Sequence, residues 1–206
     1  MTRSYWFVVA EITAVFVMIM LYLWRLRYTA PAACIAILGF IVLTQVLRKE
    51  QPACLGFRWS NFRECAQTWT PPVALLAISL LVFGIILRTL RPVTFGQVLI
   101  ALALYCPWGL LQQYLLNSYF ANRVLSISPA RYVPLIAAAV FSATHLPNWF
   151  LMLVTFALGY MSTKIFLRYR NVYFLGLAHG VIGSLLWIVI PDYISHHLRV
   201  GPGYFH

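Results

Sequence analysis

WGLLQQYLLNSYFANR, residues 108–123, is the stretch on which the reading of this chain turns. Most of it is fit for lipid, yet Gln112 and Gln113 stand side by side within it. Asn117 follows Gln113 by one helical turn, and Ser118 and Asn122 repeat that spacing. Uncompensated polar groups are costly at membrane depth, so such residues face protein or a wet cavity. This helix therefore turns a polar face inward, and the rest of the chain must supply what it faces.

The surrounding composition sets the solvent. Of 206 residues, 62% are hydrophobic and only 9% are charged, and the mean hydropathy is +0.82. A soluble domain needs more charge to cover its surface. The expected fold is an all-α integral membrane protein, a polytopic bundle of about seven transmembrane helices in one domain spanning residues 1–206. The net charge of +11 does not indicate nucleic acid. The arginines and lysines punctuate apolar runs, which is a topology signal rather than a phosphate-binding stripe. The partner expected from this composition is the lipid bilayer. Cys34, Cys54, Cys65 and Cys106 show no CxxC spacing, so no thiolate or redox motif is indicated.

Along the chain, apolar runs predict spans over about residues 5–24, 30–47, 73–87, 94–124, 134–145, 149–167 and 172–190. Arg25 and Arg27 mark a turn after the first, and Pro71 and Pro72 open the third. Residues 48–70, mixed in aromatic and basic side chains, read as a loop on the membrane surface. The fourth run exceeds one bilayer thickness, so it tilts, protrudes or kinks at Pro107. With seven spans, Arg3, Arg48, Lys49, Arg123, Arg131 and Lys164 are among ten basic residues on the N-terminal side, against five on the other. The excess places the N-terminus in the cytoplasm, and the expected setting is the plasma membrane of a prokaryotic cell.

Depth arithmetic links three helices. At about 1.5 Å per residue, Gln113 lies roughly 15 Å from Arg123, His145 about 16 Å from Pro134, and His179 about 10 Å from Val172. All three are counted from one membrane face, so the Gln pair, His145 and His179 share a layer. Each has a plainer reading, as interhelical glue or as a packed histidine. His196 and His197 read as solvated tail residues. Glu11 lies within the first span, near the headgroup zone, paired with a neighbour or aimed at a buried site. No cofactor is expected. A zinc ion would have His145 and His179, one short of the three protein ligands that a catalytic zinc takes, and no spacing favours Glu11 as the third. A transporter would show repeated, broken helices, and no such repeat is visible.

These residues, in this order, resemble the CPBP (Abi) family of intramembrane proteases, which includes CAAX-processing endopeptidases and bacteriocin-processing or immunity proteins. The family's EExxxR motif stands here as QQYLLN, with Gln112 and Gln113 at the two Glu positions and Asn117 at the Arg position. FxxxH is intact as Phe141 and His145. The last motif keeps His179 with Gly183 at the Asn position. LGFRW and RNVYFLGLAH resemble recurrent flanking elements. The resemblance covers roughly residues 53–186. It implies a CPBP-like fold and hydrolysis of a peptide bond in a membrane or lipidated protein. Gln112, Gln113, His145 and His179 then hold the catalytic positions, and Asn117, Phe141, Asn148 and Gly183 the substrate-binding or supporting ones.

The departures change the chemistry. Activating water requires a proton acceptor, and a glutamine amide is not one. A neutral Gln pair also removes the partner of the motif arginine, which is consistent with Asn at position 117. Two expectations follow. One is an endopeptidase whose base is His145, His179 or Glu11. The alternative is an inactive homologue that binds a peptide or membrane-protein partner, in a scaffold or immunity-type role.

Overall fold

A computed structural model describes residues 5–205; Arg3, counted in the charge balance above, lies outside them. The described chain is helical, without strands. Its helices are α1 (Tyr5–Thr29), α2 (Ala33–Leu47), α3 (Phe62–Ile86), α4 (Phe95–Leu125), α5 (Val133–Ala143), α6 (Trp149–Tyr169) and α7 (Val172–Val189), followed by the short α8 (Asp192–Ser195). Five of them, α1, α3, α4, α6 and α7, are long and apolar enough to cross a membrane. The apolar α2 and α5 are shorter. Large apolar side chains such as Trp6, Ile35, Leu75, Phe95 and Leu104 are more than half exposed. A soluble monomer rarely carries so much exposed apolar surface, and a lipid-facing belt accounts for it.

Three boundaries differ from the sequence reading. α1 continues through Arg25 and Arg27 to Thr29, by way of a π-helical turn at Tyr22–Leu26. α3 begins at Phe62, so Pro71 and Pro72 lie inside a helix rather than at its start. The last part of the 48–70 stretch is thus helical. The remainder is tied to helix ends rather than lying free: Val172 N donates to Gly56 O at 2.9 Å, and Asn171 Nδ2 donates to Arg58 O at 2.7 Å. Gly56 has φ +90°, and a Cβ there would stand 2.6 Å from the Phe166 ring. The third difference is in α4. It passes through Pro107 without ending, and the irregularity comes later, as a π-helical segment over Tyr114–Ala121. A π-bulge widens the helix and re-aims the side chains around it.

α4 and α7 lie closest together, and glycine is the reason. A Cβ on Gly109 would stand 2.6 Å from Gly176 O, and one on Gly180 would stand 2.6 Å from Cys106 Cα. The small residues of GLAHGVIG thus admit a neighbouring helix.

Glu11 takes the paired reading. Arg123 Nε donates to its Oε1 at 2.7 Å, and Arg48 bonds its other oxygen. Arg123 also bonds Glu50, so two arginines and two glutamates form one neutral cluster joining α1, the end of α2 and the end of α4. The Arg123 side chain is 1% exposed. Cys65 is buried, and all four cysteines are free thiols.

Candidate functional site

A cavity of about 450 Å³ opens among α1, α3, α4, α5, α6, α7 and the C-terminal segment. Its lining is mostly apolar. The polar exceptions include Gln112, Gln113, His145, His179, Thr144 and Thr155. Phe141 and Gly183 line it too, so six of the eight residues singled out from sequence border one space.

The two others have different places. Asn117, fully buried, stands behind Gln113 and donates from Nδ2 to Gln113 Oε1 at 2.7 Å. Asn148, also fully buried, does not line the cavity and is not placed to bind a ligand there. Its Oδ1 accepts from Leu151 N at 3.1 Å, which caps α6. Its Nδ2 donates to Ser195 O and Arg199 O, which anchors the C-terminal segment. Those bonds use both amide hydrogens.

The polar row is built from neutral groups. Asn117 donates to Gln113, and Gln113 Nε2 lies 3.1 Å from His179 Nδ1. With the amides assigned in this direction, His179 Nδ1 accepts, and Nε2 carries the ring proton. His145 has the opposite tautomer. Its Nδ1 is 3.1 Å from Phe141 O, 3.4 Å from Thr144 Oγ1 and 3.5 Å from Thr155 Oγ1. Both threonine hydroxyls already donate to backbone carbonyls, at 2.7 Å and 2.6 Å. Every neighbour of His145 Nδ1 can thus act only as an acceptor, so the proton sits on Nδ1 and Nε2 keeps its lone pair. One imidazole offers the cavity a donor and the other an acceptor.

Two further polar atoms of cavity-lining residues have no partner among the described residues, Gln112 Oε1 and Trp69 Nε1. A buried polar atom without a partner costs free energy, and a ligand that supplies one recovers it. Sequence reasoning passed over Trp69, because it sits in a stretch that reads as loop. It also passed over Thr155, which meets His145 only through tertiary packing.

Among the described residues, no carboxylate lines this space. Glu11, weighed above as a base or third zinc ligand, is bound to Arg48 and Arg123 instead. Among the described residues, no group of three His, Cys, Asp or Glu side chains is gathered closely enough to hold a metal ion.

Gly183 packs on Tyr105. A Cβ there would stand 3.0 Å from the tyrosine ring. An asparagine at 183 is expected to require Tyr105 to move.

The fold and the cavity define a class: a helical membrane protein with a polar row inside its bundle. No protein-family model, no curated protein and no solved structure matches the chain.

Proposed function

We propose that this chain is a CPBP-like membrane protein of seven spans, N-terminus cytoplasmic, whose cavity holds an apolar peptide segment of a membrane protein without cleaving it. The observation that carries this reading is the neutral row in which Asn117 hydrogen-bonds Gln113 and Gln113 meets His179, at a cavity lined by no carboxylate of the described residues. Such a row can orient a peptide group but does not supply the carboxylate base that usually activates water. The unpartnered Trp69 Nε1 and Gln112 Oε1 add a donor and an acceptor, which is what the C=O and N–H of a peptide require. The mostly apolar lining suits apolar side chains.

One observation favours a second reading, endopeptidase activity. The lone pair of His145 Nε2 is a candidate base inside the cavity. The two readings separate on purified protein in detergent. Fluorescently labelled casein is expected to remain intact. Cleavage that disappears in both His145→Ala and His179→Ala would replace the binding reading with the enzymatic one. Binding is read by fluorescence anisotropy of a labelled leucine–alanine peptide. Ala178→Trp fills the cavity and is expected to weaken binding about tenfold or more, since a displaced apolar side chain loses about 1.5–3 kcal/mol of burial. Equal binding by the two proteins would place the peptide elsewhere.

A further inference from the structure

One outer face of α6 changes character along its length. Leu153, Phe156, Tyr160, Lys164 and Arg168 follow one another at intervals of three or four residues, so they share one side of the helix. All are exposed except Tyr160, which is half-buried. Apolar side chains hold the first part of this face and the two cations hold its last turns. The rise from Leu153 to Lys164 is about 16 Å, close to the roughly 15 Å of hydrocarbon in one leaflet.

The two cations rest on aromatic rings. Lys164 Nζ lies 5.6 Å from the centre of the Tyr160 ring, and the Arg168 guanidinium lies 5.3 Å from that of Tyr169. Among the described residues neither forms an ion pair. The chain has four Asp and Glu residues to draw on. Glu11 and Glu50 are bound to Arg48 and Arg123, and Asp192 to Arg91. Glu64, in the first turn of α3, pairs with neither Lys164 nor Arg168. Like charges one helical turn apart repel, and an anion that bonds both removes the repulsion. A second copy of the chain is a poor source of that anion, because it brings the same shortage of carboxylates.

We infer that this face of α6 is a binding site for an anionic phospholipid, with Lys164 and Arg168 on the phosphate and Leu153 and Phe156 along an acyl chain. The lipid matches the face in both respects. Its phosphodiester supplies the negative charge that the chain does not, and its chain runs beside the apolar part of the helix. Tyr160 lies at the junction, where an aromatic ring with a polar end suits the boundary between headgroup and hydrocarbon. The site is separate from the cavity, and the inference holds whether or not the cavity binds peptide.

The test is native mass spectrometry of the full chain in detergent, titrated with phosphatidylglycerol or with phosphatidylcholine of the same acyl chains. The first phosphatidylglycerol is expected to bind about tenfold more tightly than the first phosphatidylcholine. In Lys164→Gln with Arg168→Gln that preference is expected to vanish while phosphatidylcholine binds as before, which also shows that the variant is folded. Lys164→Arg with Arg168→Lys keeps both charges and is expected to keep the preference. So is Arg25→Gln with Arg88→Gln, which removes two cations elsewhere. Equal affinity for the two lipids in the unmodified protein overturns the inference. A preference that survives Lys164→Gln with Arg168→Gln, or that falls equally in Arg25→Gln with Arg88→Gln, also overturns it. Glycerol phosphate in tenfold excess is expected to leave the lipid bound. Displacement would assign the two cations to a free phosphate ester and overturn the lipid.

Discussion

Glu11→Gln is expected to destabilise the protein by about 3–5 kcal/mol, the range for removing one partner of a buried ion pair. Glu11 answers two arginines at once, and the Arg123 side chain beside it is 1% exposed. Two positive and two negative charges balance in this cluster. Neutralising Glu11 leaves a net positive charge that neither lipid nor water can solvate cheaply. Glu50 bonds Arg123 through Oε1 and its buried Oε2 has no partner among the described residues, but it would then be one carboxylate facing two arginines. Replacing Glu11 and Arg123 together by apolar residues is expected to cost less than the sum of the single changes. The pair's attraction and its desolvation vanish together. Reversible unfolding in mixed micelles measures all three variants. A Glu11→Gln protein within about 1 kcal/mol of the parent would show the cluster to be solvated rather than buried.

Gly180→Ala adds one methyl group and is expected to cost about 1–3 kcal/mol, the usual range for overpacking. It is also expected to loosen the cavity. The new Cβ would stand 2.6 Å from Cys106 Cα and 2.8 Å from Cys106 N, which are backbone atoms that no rotamer change can move aside. α4 and α7 must separate by about 1 Å to restore ordinary contact at 3.5–4.0 Å. Gln113 is on one of these helices and His179 on the other, so their 3.1 Å contact opens with the helices. The expected result is a lower unfolding midpoint together with weaker peptide binding. Gly39→Ala is the control. Nothing lies within 4 Å of a Cβ there, and alanine favours the helix by up to about 1 kcal/mol. Equal stability of the two alanine variants would remove close glycine packing as the explanation of the α4–α7 approach.

The sequence made some of this legible and hid the rest for identifiable reasons. Counting helical rise placed Gln113, His145 and His179 in one layer, and the cavity they line is the structural counterpart of that count. The method works where helices run straight from a common face. It cannot see a π-helical segment, and so Pro107, the visible helix breaker, drew the attention that Tyr114–Ala121 needed. Proline misled a second time at Pro71 and Pro72, which look like a helix start and lie inside α3. The partners of Glu11 stand 37 and 112 residues away, beyond any local pattern. His197 reads as a tail residue because its place depends on Asn148, Leu146 and Arg27 holding the chain back over the bundle.

The charge cluster also bears on biogenesis. Glu11 and Arg48 emerge from the ribosome early and can meet as a hairpin of α1 and α2. Arg123, the least exposed member, is made only after α1, α2 and α3. Until then Glu50 has no partner from α4, and the Leu55 carbonyl awaits the hydroxyl of Ser118. The N-terminal half is thus inserted before it can be completed. A nascent chain stopped after α3 should be held by insertion chaperones, whereas one that extends past Arg123 should be released.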